Sequence, residues 1–536
     1  MKDTQDSGFL AECEREALHQ VGAIQPCGAL LGGHAGDQTV RFASANLADW
    51  TGVEVNAVLG RPLLALDTWP AGVQTEELAA AFAEAATNAG ATAGAVAGAT
   101  TDSAAAKQVL TSLCCGPSGE LDALLSRGSQ CWLLELQPAL LAEQRYQAYK
   151  PVPHALYRMP RSDEEWQRLC DYLAAEMRTA SGFDRVMVYR FRTEGSGEVI
   201  AESLTDDLPP YLGLRYPASD IPQIARNLYL ANRHRQIPDA NAESVPILTI
   251  DDAASDLTLS DLRAVSPVHV EYLRNMGVTA SLSFPVVLNG TLWGLIACHH
   301  RAPRALPLPV RERCAEMVQV FTLGIASHRA NQRLVALSAS DRDIAQLING
   351  INGLESGAQP NFRLGDALRR LAGAAGAALT ENDPDGTGRE EVLTFGKTPQ
   401  PTQIRELLGW LRSTTMEPIF ATDALPDLFR PAAAYADIGS GLLAVRATQF
   451  TAGTRRERVF LWWRPEQPEV VHWAGDPRKS AMFEAQNSTL SPRSSFEAWV
   501  ETTRGHSEPW SDSDLLKAKK FRNLVLRDIN AALFRD

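Results

Sequence analysis

The sequence predicts an α+β protein of three mixed domains, each built on a central antiparallel sheet and joined to the next by long helices. Three observations lead there. Short runs rich in β-branched and aromatic residues, such as FDRVMVYRF (183–191) and RVFLWWRP (458–465), alternate with segments of helical periodicity. Asn289-Gly290 stands between two apolar runs, a strong hairpin signal. Residues 307 to about 352 keep helical periodicity far beyond the length of an ordinary globular helix, which suggests a spine between domains and a possible dimer face.

A chain of 536 residues has room for two to four cores, and its composition is that of an ordinary globular protein. A net charge of −13 and a pI near 5.4 argue against nucleic-acid binding as the main role. No apolar run reaches the length of a membrane span, and the polar, acidic MKDTQDSGFLAEC start is unlike a secretory signal. A cytoplasmic protein with reduced thiols is therefore expected. The eight cysteines (13, 27, 114, 115, 131, 170, 298, 314) form no C-x-x-C pair and no finger-like spacing with histidine, so no metal site is expected.

Taken in order, Cys13 lies in CEREALH among charged residues, where Arg15 and His19 favour the thiolate and three glutamates oppose it. Pro26 and Gly28 mark a turn around Cys27 before an apolar strand. FASANLADWTG reads as strand and short helix. AAAFAEAATNAG reads as a helix followed by an Ala/Gly/Thr-rich insertion. CWLLELQPA closes the domain as a strand, and a linker helix is expected to about Tyr149. These residues make the first domain, 1–138.

In the second domain, 139–315, a helix leads into FDRVMVYRF, which EVIAESL is expected to pair. The segment YLGLRYPASDIP (211–222) follows. Pro217 and Pro222 each bias the preceding residue away from helix, so Asp220 is held on a rigid, irregular stretch before a helix at about 223–233 that carries Tyr229. On spacing alone the plainer reading is a Pro-bounded loop with a solvated Asp. Helix, strand, Asn-Gly turn and strand complete the domain through LWGLIACHH. The third, 316–536, should hold a helix near 363–377, strands GLLAVRAT and RVFLWWRP, and an extended arm, not a compact strand pair, from VHWAGD to SPRSSF. A terminal helix capped by Ser511 or Ser513 follows. Its stripe of Leu515, Leu516, Phe521, Leu524, Val525 and Ile529 is expected to meet a partner helix.

PASDIP, SPVHVEYLRNMGV, LWGLIACHH and SPRSSF, in this order and at these separations, resemble the photosensory module of a bacteriophytochrome: PAS, GAF and PHY sensor domains around a linear tetrapyrrole. The resemblance covers nearly the whole chain. It implies a figure-eight knot between PAS and GAF domains, a red/far-red photoreceptor, and no catalytic residues in this chain. Relatives that use phycocyanobilin carry a cysteine just before the SPVH histidine; here that residue is Val268. Cys13 instead matches the N-terminal cysteine that biliverdin-binding members join to the pigment as a thioether. Cys27 could be a second nucleophile or plain packing.

The resemblance also implies the pocket. Asp220, with Ile221 and Pro222 of the same motif, faces the pyrrole nitrogens, and His269 stands beside the central rings, a role suited to an imidazole titrating near neutrality. His299 meets the D-ring carbonyl, although alone it could be, like His300, a plain strand-end residue. Tyr189, Tyr211, Tyr216 and Tyr229 surround the D ring. Arg235, Arg263, Ser266, Tyr272, Ser281 and Ser283 hold the propionates. In the PHY arm, or tongue, Arg493 and Ser495 match the partners of Asp220, and Trp473 and Trp510 the exchanging aromatics. Ala474 stands where a glycine is commoner. The implied partners are a second copy through the GAF and PHY helices, and a downstream histidine kinase, response regulator or other output module. No phosphoacceptor or ATP-lid pattern occurs in the chain, which is expected to be a truncated receptor or one that signals through partners. The alternatives are a light-regulated histidine kinase with its catalytic module elsewhere, and a GAF-type sensor of a cyclic nucleotide or haem.

Overall fold

The computed structural model describes residues 17–66, 73–92, 106–141, 145–250, 255–355, 362–382, 391–451, 454–477, 481–484, 489–492 and 496–532. The chain divides into two compact units, one of 1–327 with 472–499 and one of 328–471 with 500–536.

In the first unit, the sheet of the first domain runs Ala23–Ile24, Val245–Thr249, Phe42–Ser44, Ala29–His34, Cys131–Pro138, Gly119–Arg127 and Ala106–Gly116. Its second strand comes from the next domain. Ala23 pairs with Pro246 on one side, while on the other Ile24 bridges Arg263 and the Gln25 N–H donates to the Leu262 carbonyl at 2.7 Å. The N-terminal strand thus lies between two arms of one loop, the arrangement that the expected knot requires. Alternation along Cys131–Pro138 sends Trp132, Leu134 and Leu136 into the first core, and Leu133 and Glu135 to the face met by that loop. Trp132 is fully buried. Its ring meets Phe82 edge-on at 5.3 Å, and its indole N–H donates to the Asp37 carbonyl at 2.9 Å.

The second domain's sheet runs Arg235–Ile237, Ala280–Leu288, Thr291–His300, Arg185–Phe191, Gly197–Leu204 and Arg215–Tyr216, each antiparallel to its neighbour. The predicted Asn-Gly turn joins the second and third strands, with Asn289 at φ 52° and Gly290 at φ 76°, as a tight hairpin demands. Helix Asp163–Ser181 covers one face. Ser162 caps its start by accepting from the Glu165 N–H, Gly182 ends it at φ 64°, and Leu169, Cys170, Leu173, Ala174 and Met177 form its buried stripe. The opposite face carries the site.

In the second unit, strands run Glu391–Gly396, Gly376–Glu381, Thr454–Arg464, Gly441–Thr451 and Ile419–Thr422. Alternation in FLWW puts Phe460 and Trp462 on one face and Leu461 and Trp463 on the other, and both faces are covered. The spine is a helix of 48 residues, Leu308–Glu355. Among the described residues, no helix is long and apolar enough to cross a membrane.

Three expectations are corrected and one is made specific. The linker helix before Tyr149 is only Arg145–Ala148. The helix expected over 363–377 is Phe362–Ala372, because Gly373 takes φ 59° and the chain turns into a strand. The stripe of the terminal helix Asp512–Ala532 does meet a helix, Phe362–Ala372 of its own unit, and also the sheet: Phe521 packs edge-on against Phe460 at 4.8 Å, and Val525 is buried in the same cluster. The helix's own sheet had an uncovered apolar face, which periodicity alone could not reveal. Ser511 caps it, accepting from the Asp514 N–H at 3.1 Å. Finally, the arm contains a strand pair, Ala481–Glu484 with Thr489–Pro492. Its period-2 pattern is too short to stand out among Pro, Asn and Ser.

Trp132→Ala should destabilise the first unit by about 3–5 kcal/mol through the cavity it leaves. The check is its denaturant midpoint, read by near-UV circular dichroism.

Candidate functional site

Pro217 and Pro222 are both extended, at ψ 155° and 160°, and between them Ala218–Asp220 makes one 3-10 turn, closed by the Asp220 N–H on the Pro217 carbonyl at 3.1 Å. Arg226, one turn into helix Gln223–Ala231, ties this loop down: its guanidinium donates to the carbonyls of Ile221 and Gly195, each at 2.7 Å. The loop and helix roof a cavity of about 230 Å³ over the second sheet.

Register explains the cavity's floor. Arg235 stands opposite Ser283 and Ile237 opposite Ser281; Ser281 is opposite His299 and Ser283 opposite Ala297; Ala297 is opposite Met187 and Leu295 opposite Tyr189. Residues that share a face recur at every second position, so these side chains reach one cavity, while His300 leaves it and meets Asp184 at 3.1 Å. Helix Pro267–Asn275 adds His269 and Tyr272. The lining thus includes Tyr189, Tyr216, Asp220, Ile221, Pro222, Tyr229, Arg235, Arg263, Ser266, His269, Tyr272, Ser281, Ser283 and His299, all expected from the sequence.

Two expected residues are placed differently. Tyr211 does not line the cavity; it stands behind Tyr216, edge-on at 6.3 Å, beneath the Arg185 guanidinium 3.6 Å from its ring centre. Tyr272, expected among anion-holding residues, instead donates its hydroxyl to Asp220 Oδ2 at 2.9 Å, and its ring stacks on His269. Cys13, Arg493 and Ser495 lie outside the described residues. Trp473 pairs through its backbone with Arg215 at the sheet's end, and Ala474 is buried beside it while Gly475, at φ 88°, makes the turn. Phe496 packs edge-on against Tyr272 at 5.1 Å, so the 472–499 segment reaches the site's helix. Trp510 belongs to the second unit, under the Arg464 guanidinium.

The electrostatics are asymmetric. Arg235 donates to the Asp261 carbonyl at 2.9 Å and also to those of Arg263 and Ala264. Among the described residues, neither Arg235 nor Arg263 forms an ion pair with a carboxylate. Burial and the Arg235 charge push Arg263 down to about 9, and burial lowers Arg235 as well. Two enclosed cations at one end of a cavity suit an anionic ligand. The other end is aromatic, with Tyr189 edge-on to Tyr216 at 5.8 Å. Among the described residues, His299 Nδ1 is buried without a hydrogen-bond partner, and so is Ser219 Oγ. Tyr229 and Ser283 share a hydrogen bond at 2.8 Å.

The expectation of an imidazole titrating near neutrality is not met. Burial, reinforced by Arg235, lowers His269 to about 4, and burial with Arg185 and His269 lowers His299 to about 3. Both are neutral at pH 7, as water-poor surroundings beside guanidiniums require. Cys27 is half-buried, and burial lifts its thiol to about 11, which disfavours the thiolate that a nucleophile needs.

Sequence reading missed several functional positions. Met187 and Ala297 were accessible by counting two residues back from Tyr189 and His299, and Leu295 by counting four back from His299. Gly197 was not: a Cβ there would fall 1.8 Å from the Tyr189 hydroxyl, so the glycine makes room for that ring. Arg226 and His234 gave no signal, because their partners are set by the fold.

Three family models match: a PAS fold over 13–139, a GAF domain over 165–327 and a phytochrome region over 345–532. The chain is 32% identical to cyanobacterial phytochrome B of Nostoc sp. over 96% of its own length, and 32% identical to a bacteriophytochrome of Xanthomonas campestris pv. campestris over the same share. It spans 66% of the first relative and 78% of the second; of another Nostoc relative, cyanobacterial phytochrome A, it spans 53%. The crystal structure of a bacteriophytochrome from the photosynthetic bacterium R. palustris superposes with a TM-score of 0.77 at 32% identity, covering 97% of this chain and 99% of that one.

The depressed histidines carry a sign. Unfolded imidazoles bind protons from about pH 6.5 downward, while His269 stays neutral to about 4, so its folded form loses stability as pH falls through that window. On ligand-free protein, His269→Phe should shrink the loss between pH 7 and 4.5 by about 2–3 kcal/mol. Urea unfolding at both pH values checks it.

Proposed function

Because the chain belongs to the phytochrome family, we propose that it is a red/far-red photoreceptor whose cavity holds biliverdin, joined by a thioether to Cys13. The observation that carries this reading is the enclosed pair Arg235 and Arg263, which forms no ion pair with a carboxylate among the described residues. A linear tetrapyrrole with two propionates supplies two anions at one end and flat apolar rings at the other, which fits this donor set and the tyrosine wall. Biliverdin, when bound, supplies the absorption of red light and an isomerisable C/D methine bridge.

The chain's residues then divide the work. Arg235 and Arg263, with Ser266, Ser281 and Ser283, hold the propionates. His269, neutral and stacked on Tyr272, offers a ring nitrogen to the central pyrroles, and the Asp220 carbonyl faces their N–H groups. His299 is the partner for the D-ring carbonyl. Met187, Tyr189 and Tyr216 leave an apolar wall along which that ring can turn. Cys27 is a poor rival for attachment, since a thiol near 11 leaves about one thiolate in ten thousand at neutral pH.

The switch is an exchange at Asp220, whose carboxylate accepts from the Tyr272 hydroxyl and pairs with Arg493 and Ser495 in one of the two states. The tongue refolds with it, moving Trp473 and Trp510, and the long helix carries the change to a C-terminal output such as a histidine kinase with its response regulator. Leu323, Leu334 and Val335, each more than half exposed on that helix, support a homodimer through it. The receptor works in the cytoplasm, within domains 1–138, 139–315 and 316–536.

Adding biliverdin should give a coloured, zinc-fluorescent covalent band that Cys13→Ser removes. A colourless protein would end the reading, and an intact band in the variant would move the attachment elsewhere. Asp220→Ala and Arg493→Ala should keep the band and lose most photoconversion, read as the red/far-red difference spectrum. Full photoconversion in both would sink the exchange.

A further inference from the structure

The tyrosine wall of the cavity belongs to a longer row of rings. Tyr211 lies edge-on to Tyr216 at 6.3 Å, Tyr216 to Tyr189 at 5.8 Å, and Tyr189 to Phe191 at 5.4 Å. The two middle rings line the cavity and the two outer ones do not. Each outer ring carries a guanidinium on its face: Arg185 stands 3.6 Å from the centre of Tyr211, and Arg226 stands 4.2 Å from that of Phe191. Cations on faces and edge-on contacts between rings are the arrangements that the aromatic quadrupole favours.

Both guanidiniums also grip backbone. Arg185 and Glu202, on neighbouring strands, form an ion pair at 2.5 Å whose side chains are 4% and 2% exposed. Arg185 Nη2 donates to the Pro209 carbonyl at 2.6 Å, while Glu202 Oε2 accepts from the N–H groups of Tyr211 and Leu212 at 2.8 and 3.1 Å. The pair therefore fixes residues 209–212, where the Asp220 segment begins. Arg226 does the same where it ends, donating to the Ile221 carbonyl and anchoring it to that of Gly195. As a source of stability a buried ion pair is a poor device, because desolvation cancels most of the attraction. What it supplies here is geometry. A planar guanidinium holds two fixed oxygens and stacks on a ring at once, which an ammonium does not.

We propose that Arg185, with Glu202, and Arg226 are positioning residues that hold the two ends of this row, so that Tyr216 and Tyr189 present one fixed wall to a ligand ring in the cavity. None of the three is among the residues lining the cavity, so they act through the rings and the backbone. The consequence for light switching rests on the pigment reading, whereas the holding of the rings does not.

In the first arm, the full chain carries 13Cε-labelled tyrosine and no added pigment, and the ring-flip rates of Tyr189 and Tyr216 are read from NMR line shapes. Arg185→Lys keeps a positive charge beside Glu202 but loses the fork and the stacked plane. It should speed the Tyr216 flip by about tenfold or more, and Arg226→Lys should do the same for Tyr189. Tyr211→Leu removes an outer ring at a half-buried position, leaves the ion pair in place, and should also free Tyr216. An ion pair that only stabilised the fold would lower the denaturation midpoint and leave ring motion in the folded protein unchanged. Flip rates within about twofold of the unaltered protein in Arg226→Lys and Tyr211→Leu would overturn the proposal, even where Arg185→Lys failed to fold. In the second arm the same variants are assembled with biliverdin, and photoconversion per absorbed red photon should fall by about threefold or more. Freed rings with an unchanged yield would overturn the wall's part in the switch. Freed rings with no pigment bound by the unaltered chain would uphold the positioning and reject the pigment reading.

Discussion

One buried carboxylate organises the first unit. Glu135, from the first domain, accepts the Ser260 hydroxyl at 2.5 Å and the N–H groups of Leu262 and Asp261 at 2.8 and 3.1 Å. It thereby fixes a loop of the second domain whose carbonyls receive the Arg235 guanidinium and whose next residue is Arg263. Leaving Glu135 without these donors would cost the full desolvation penalty of a buried acid, so the loop has little freedom. The same loop encloses the N-terminal strand. Domain docking, threading and anion site therefore rest on one set of hydrogen bonds.

The charges follow from that arrangement. Positive charge gathers where Arg235 and Arg263 are held by backbone carbonyls, and nearby imidazoles are forced neutral because protonating them would add another desolvated cation. Compensating negative charge sits one layer outward, in Asp261, where Lys107, Arg311 and His234 surround it. The cavity is left with two cations on one side that form no ion pair among the described residues, and aromatic surface on the other. That polarity matches the amphipathic anion of the proposed reading.

Much of the site was legible because β-structure repeats every second residue. Ser281 and Ser283, or His299 read with Ala297, share a face in any register that buries the sheet. The two prolines around Asp220 fixed a turn from local sterics alone, and the Asn289-Gly290 turn required only two positive φ angles. Tyr211 was misread for an instructive reason. Motif position could not tell a ring that lines the cavity from one that stands behind Tyr216, because Arg185, which covers it, comes from a strand 26 residues earlier.

By itself the sequence determined the elements, the order of the three domains and the family's motif residues, since these rest on local periodicity, turn sterics and side-chain chemistry. Tertiary structure alone decided what each residue does. It turned Tyr272 onto Asp220, lowered His269 and His299, raised Cys27, and set His234 between Asp261 and Glu312. Desolvation and partner choice depend on groups brought together from far apart along the chain, and no local pattern encodes them. Glu135 shows the limit most clearly: it occupies one polar position in an apolar strand, and the loop that satisfies it begins 125 residues away.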